Sequence, residues 1–393
     1  MTQSLVHTGL TREAVAALAS DRREPDWLVR LRLDAFEAFE RIPLPDTRTE
    51  GWRRTSLTGL RLADVEPGQA ASAVWQAPAG TSIVSFDEAL HDAALAARLQ
   101  EHLAHVVPPD SDKFTALHYA LLNAGVIVHV PRGRAIEERI CIQQRAPFWH
   151  TLLLVDDEAE VQLVEEFEGD PGALASSVVE QVVGRNAQVR YVQVQRCAPE
   201  AFAFSWQRAR LEADAHFRTL NVALGARLAR NTVQVVLDGR GAQADLLGLV
   251  ATNARQHIDF QTLQDHFADG TRSDLVIHNA LRGRSSSNFT GLIRINHSAR
   301  QTESSQEQKN ILLSDQAKAD SDPKLEILNN DVIRCTHGAA VGPVDPEMLF
   351  YLQSRGLAQA EAEQLIVEGF FQSVIARLEQ PSLQQAIWEK LAL

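Results

Sequence analysis

From Gly125 to about residue 340 the chain repeats one kind of segment and admits no other. Short runs rich in β-branched and apolar residues recur: GVIVHV, HTLLLV, EVQLVEEF, QVRYVQVQ, HFRTLNVAL, NTVQVVL, HIDFQTL, DLVIHNAL and FTGLIRINH. Several alternate strictly, the period-2 pattern of a strand with one buried face. Turn residues separate them at Gly225, Asp238–Gly239, Asn253, Asp269–Gly270, Arg282–Gly283 and Asn296. The corners fall roughly 13 to 17 residues apart, as stacked coils or hairpins require. No helix-length pattern intervenes, so βαβ architecture is excluded and a sandwich, a barrel or a β-helix remains. Similar strand lengths and small or polar corners favour a β-helix, with Val233, Val235 and Leu237 stacking with Leu246, Gly248 and Val250. A coil stack ends in uncovered strands, and an uncovered edge invites pairing with another chain.

The flanks read as helical. EPDWLVRLRLDAFEAFERIPLP places Trp27, Leu28, Leu31, Ala35, Phe36 and Phe39 near a 3.6-residue period, and Pro43 and Pro45 stop it. Glu66 to Gly80 reads as an exposed connection. SFDEALHDAALAARLQEHLAHV is again helical, with Asp87 and Glu88 in its first turn, and Lys113 to Asn123 forms a shorter helix. Beyond His337, Asp345 caps a helix with Pro346 at its first position. A second helix carries Leu365, Ile366, Gly369, Phe370, Val374 and Leu378 on one stripe, and Ser382 caps a third. This amphipathic tail either packs on its own domain or docks into another protein. The expected division is an N-terminal helical domain over residues 1–124, a β-helix core over 125–340 and a C-terminal helical domain over 341–393.

Composition narrows the function by exclusion. A formal net charge of −13 argues against nucleic-acid binding, which needs a basic face. No apolar run approaches membrane-spanning length. The N-terminal MTQSLVHTGLTREAV lacks the basic-then-apolar pattern of a secretory leader. Cys141, Cys197 and Cys335 are the only cysteines, which is no disulfide framework and fits a reducing cytoplasm. The chain carries no GxxxxGK[ST], hence no P-loop ATP site of its own, and no HExxH or GxSxG. Residues 239–244, GRGAQA, match a dinucleotide loop, but ADLLGLVAT follows as a strand and not a helix, so the match reads as a β-corner. No convincing pair of carboxylates marks a glycan-cleaving β-helix.

His216, His257, His266, His278 and His297 have no ligand-like spacing and read as surface or corner residues. Cys141 reads as a core residue and Cys197 as a strand-end residue. Cys335 and His337 differ, because residues i and i+2 of a strand project from one face. Thiolate and imidazole then lie side by side before Gly338, and both are good ligands for zinc or for iron–sulfur iron. One reading is a buried cysteine beside a satisfied histidine. The other is a pair of ligands whose remaining partners come from a second chain or a small molecule.

The segment Gln306 to Leu357, QEQKNILLSDQAKADSDPKLEILNNDVIRCTHGAAVGPVDPEMLFYLQSRGL, closely resembles the signature of the SufB/SufD family of iron–sulfur cluster assembly scaffolds. GLIRINHSARQTESSQ and TEGWRRTSL resemble it as well, so the likeness spans nearly the whole chain. Short length, the absence of extra cysteines and the EPDWLVRLRL segment make it most like SufD members. The resemblance implies a central right-handed parallel β-helix flanked by N-terminal and C-terminal α-helical domains, in a non-catalytic scaffold subunit. It implies a SufB-like paralogue paired through the β-helix and a SufC-like ATPase bound through the C-terminal helices, with a homodimer left open for the isolated chain. It places a transient iron–sulfur cluster at the paired interface, with His337 as ligand or iron-handling residue and Cys335 beside it. Anchors for the ATPase are expected among Leu349, Phe350, Leu352, Leu365, Phe370 and Phe371. Family complexes are also linked to a reduced flavin, for which no motif here speaks. The rival expectation is a structural platform with no ligand role at the cluster site.

Overall fold

The computed structural model describes residues 9–391. Met1–Thr8, where no leader pattern is expected, and Ala392 and Leu393, the end of the expected last helix, lie outside the described residues. The strands form two nine-stranded sheets wound as a β-solenoid of about eight turns. The first sheet orders β1 (Ser72–Gln76), β4 (Ile140–Arg145), β6 (Glu160–Glu168), β8 (Gln188–Gln195), β10 (His216–Ala223), β12 (Gln243–Thr252), β14 (Arg272–Leu281), β16 (Thr302–Leu312) and β18 (Val332–Pro343). The second orders β2 (Ser82–Ser85), β3 (Ala124–Val130), β5 (Phe148–Val155), β7 (Leu174–Val183), β9 (Phe202–Leu211), β11 (Leu228–Leu237), β13 (His257–His266), β15 (Ser286–Ile295) and β17 (Lys318–Ile327). From β3 onward successive coils pair in parallel.

Stacking follows from alternation. Val233, Val235, Leu237, Leu246 and Val250 all enter the buried lumen cluster, as expected. Gly248 is paired with Ile277 of the next coil, and a Cβ there would come within 2.9 Å of that side chain. The GRGAQA match is the corner between β11 and β12. A Cβ on Gly239 would meet Ala213 of the preceding coil at 2.0 Å, and Gly241 has φ +72°, so both positions call for glycine.

Helices cover part of the outer face of each sheet. α2 (Asp26–Arg41) turns Leu28, Ala35, Phe36 and Phe39 into a cluster with α5 (Lys113–Leu121) and the outward Phe148, Leu152 and Phe204 of the second sheet. The leucine and phenylalanine side chains among them each contribute about 1.5–3 kcal/mol when fully buried. The TEGWRRTSL segment is a clasp in this layer. Trp52 lies 3.9 Å beneath the Arg230 guanidinium, and Thr55 Oγ1 donates to Asp259 Oδ2 at 2.7 Å. The first sheet is covered by α7 (Gln359–Ile375) and α8 (Pro381–Leu391), whose Val367, Phe371, Val374 and Ile387 meet Val192, Leu220, Leu247 and Val276. Ion pairs Arg377–Asp274, Lys390–Glu166 and Arg282–Glu363 fasten these helices.

Several expectations give way. The stretch read as an exposed connection contains β1, which pairs antiparallel with β4, while β2 pairs antiparallel with β3. A solenoid end needs its backbone groups satisfied, and these two strands supply that at the N-terminal end. The buried stripe of α7 is rotated from the one predicted, to Ala362, Glu363, Val367, Phe371, Val374 and Ile375, leaving Leu365 exposed. α8 begins at Pro381, so Ser382 lies inside the helix and not at its cap. His266 and His278 are buried rather than peripheral. Cys197, not Cys141, joins the core, and burial pushes its thiol up to about 12.

Candidate functional site

The two ends of the solenoid differ. β1 and β2 close the first coil, whereas β17 and β18 stand last in their sheets with no further strand among the described residues. Leu325, Ile327 and Leu328 at one side of this coil, and Ile333 and Val341 at the other, are exposed. Exposed apolar residues on unpaired strand edges mark an interaction surface. The Asn329–Asp331 corner is firmly held: Asn329 Nδ2 donates to the carbonyls of Asn296 (2.7 Å) and Ala299 (2.8 Å), and the Asp331 carbonyl accepts from Gln301 N (2.6 Å).

Cys335 and His337 lie on β18, and a bulge decides where they point. Thr302 pairs with Val332, but Glu303 pairs with Arg334, leaving Ile333 as an extra residue. A one-residue shift exchanges the two faces of a strand. The bulge therefore places Cys335 above Ser304 and His337 above Gln306, on the lumen side. Arg334 accordingly faces outward, 3.7 Å from Glu303. Cys335 packs half-buried against Ile293, Ile295 and Ala299, and this burial raises its thiol pKa. His337 is exposed because no coil covers it. The pair share one face as expected, and no group of three or more His, Cys, Asp and Glu among the described residues comes together to hold a metal ion.

Two residues after β18, Asp345 caps α6 (Pro346–Ser354), its side chain accepting from Glu347 N at 2.9 Å. α6 buries none of its residues; Phe350 is 72% exposed, with Met348 and Tyr351 beside it in sequence. Leu365 is likewise exposed, while Leu349 and Leu352 are partly covered. Phe370 stacks on His278 with ring centroids 4.1 Å apart. The expected anchor Phe371 is fully buried against the first sheet, because the rotated stripe of α7 uses it for packing.

Sequence reading missed two polar groups. Glu180 accepts from the backbone N–H of Ala104, Val106 and Val107 (2.6–2.7 Å) and faces His150 Nε2 at 3.1 Å, and His118 Nδ1 meets Ser176 Oγ at 2.9 Å. Sealed from solvent, this network bolts α5 to the second sheet. The other group comprises Gln306 and Gln308, buried directly beneath β18. The available signal was TESSQEQKN, a strand-length run with no apolar residue for a lumen face.

Fold and site together define a β-solenoid with one end closed by antiparallel strands and, at the other, an uncovered coil that carries Cys335 and His337 on one face. Residues 140–370, more than half of the chain, match the family described as SUF system FeS cluster assembly, SufBD core domain. The iron–sulfur cluster assembly protein SufB of Bacillus subtilis is 28% identical over 93% of this chain and 88% of its own length. SufD of the same organism is 28% identical over 93% of this chain and 94% of its own, and a SufBD family protein of Mycobacterium tuberculosis 28% identical over 96% and 94%. The chain belongs to the SufBD family of iron–sulfur cluster assembly proteins.

Proposed function

We propose that this chain is a SufD-like scaffold subunit. In this reading it pairs through its open terminal coil with a SufB-like paralogue and contributes Cys335 and His337 to a cluster site that the paralogue completes. The observation that carries it is the asymmetry of the solenoid. One end is closed by antiparallel strands, and the other leaves apolar edges around a sulfur and a nitrogen ligand. Identity does not separate SufB from SufD, since both relatives stand at 28%. The SufD-like assignment rests on the sparse cysteines and on the fuller share of the SufD relative's length that is matched.

A SufC-like ATPase docks, in the same reading, on α6 and the adjoining face of α7, through Phe350 and Leu365 with Leu349, Leu352 and Phe370 at the margin. Phe371 is removed from that set by its burial. The chain itself is non-catalytic, its setting is the cytoplasm, the cluster is its cargo, and no residue is assigned to a flavin. The test is co-expression with a SufB-like and a SufC-like protein. His337→Ala should leave the three-protein complex intact and lower the iron and sulfide loaded on reconstitution; unchanged loading removes His337 from the site.

The platform reading is favoured by one observation, the packing of Cys335 against Ile293, Ile295 and Ala299 with its thiol pKa raised. It expects the double variant Cys335→Ser, His337→Ala to load normally in an assembled complex.

A further inference from the structure

Beneath β18 the lumen changes character. The ladder column that ends at His337 runs through Leu163, Tyr191, Thr219, Leu246 and Leu275 before it reaches Gln306. The neighbouring column passes from Gly248 through Ile277 to Gln308, under Ala339. Both glutamines are almost wholly buried. Gln306 Nε2 donates across the lumen to the Lys324 carbonyl at 3.2 Å, and the Gln308 carboxamide oxygen accepts from Ser321 Oγ. Each keeps one polar atom with no partner among the described residues: Gln306 Oε1, an acceptor, and Gln308 Nε2, a donor. An unmatched buried amide atom is destabilising, so a fold retains it when something else offsets the loss. Space for the Gln306 amide is also kept open. A Cβ on Gly291, on the facing sheet, would meet Gln306 Oε1 at 2.4 Å. Other unpaired amides lie deeper in the lumen, but these two belong to the coil that β18 covers.

We propose that Gln306 and Gln308 are the floor of the cluster site and bind its inorganic cargo, ferrous iron with sulfide, together with His337. Gln308 Nε2 donates to the anionic sulfide, and Gln306 Oε1 accepts from water on the iron or supplies it an oxygen ligand. The Ile333 bulge is what turns the two ligands of β18 onto this floor. The inference rests on the assignment of His337 to the site, and its test separates the two. Gln306→Leu, Gln308→Leu and His337→Ala are each co-expressed with the SufB-like and SufC-like partners. The assembled complexes are titrated anaerobically with ferrous iron and sulfide, and the variant chains without metal are melted alone. Both leucine variants should assemble, and the iron concentration for half-loading should rise about tenfold, the weight of one hydrogen bond to a charged group. If either variant fails to fold, Gln→Met, which keeps the unbranched shape, takes its place. Wild-type loading in the glutamine variants with loss in His337→Ala overturns the floor alone. Wild-type loading in all three overturns the site as well. A lowered melting temperature with unchanged loading assigns the glutamines to packing and contradicts the proposal.

Discussion

His337 stands one rung above Gln306 in the parallel ladder between β16 and β18, and Cys335 one rung above Ser304. If Ile333 paired with Glu303 instead of bulging out, the same sequence would put Cys335 above Ser305, on the outer face. The geometry of the site thus depends on Ile333 being left out of the pairing, and the uncovered coil leaves His337 exposed although it faces the lumen.

Deleting Ile333 should therefore close the bulge and leave Cys335 above Ser304, on the lumen side. Alkylation of Cys335, followed by mass spectrometry, is expected to be no faster in the deletion variant than in the wild-type chain. Cys197, buried and with its thiol pushed up to about 12, should stay unlabelled in both. Faster labelling of Cys335 in the deletion variant would contradict this register, because the thiol would then have turned outward.

Pairing at the open end is expected to fail when its apolar edge is charged. Val341→Lys with Ile327→Glu changes two exposed side chains, so stability of the isolated chain should shift by no more than about 1 kcal/mol. Size-exclusion of co-expressed chains should show loss of the heterodimer, since central interface residues carry about 2 kcal/mol or more each.

Phe350 and Phe371 should separate docking from packing. Phe350→Asp is expected to abolish capture of the ATPase with thermal stability unchanged. Phe371→Ala should instead cost about 3–5 kcal/mol in denaturant unfolding, because it empties a fully buried position between α7 and the first sheet.

Inside the lumen, Glu165 gives a pH signature. Burial raises its pKa to about 7, against the hydrogen bonds that Tyr191 and Thr151 donate to it, each 3.0 Å long. The folded state thus holds a proton that the unfolded chain releases above its ordinary value of 4.5. Its contribution is fully present below that value and is lost as pH rises to about 7, by about 3 kcal/mol. Glu165→Gln removes the titration, so the stability difference, variant minus wild type, should grow between pH 5 and pH 8 and then level off. A pH-independent difference in urea unfolding would contradict the shift.

Much of this fold is legible in the residues because a coil is a local repeat. Strand runs such as NTVQVVL and corners such as Asp238–Gly239 carry their own signals, and ADLLGLVAT reads as the strand it is. What escaped depends on neighbours distant in sequence. β1 is five residues beside prolines and glycines, and becomes a strand because the edge of β4 needs a partner. α7 carries large apolar residues on more than one side, Leu365 as well as Val367 and Phe371, so which stripe faces the sheet is chosen by Val192, Leu220 and Val276 and not by its own period. Cys335 and His337 could be placed on one face from spacing alone. Which face, and the glutamines beneath, required the register.

The most direct test compares loading of the isolated chain with that of the chain paired to its SufB-like paralogue. Iron and acid-labile sulfide are measured after identical anaerobic reconstitution. The chain alone should hold well under one cluster per polypeptide, and the pair should load, with the gain lost in the double variant Cys335→Ser, His337→Ala. Stoichiometric loading of the lone chain, or full loading of the paired double variant, would contradict a site shared across the open coil.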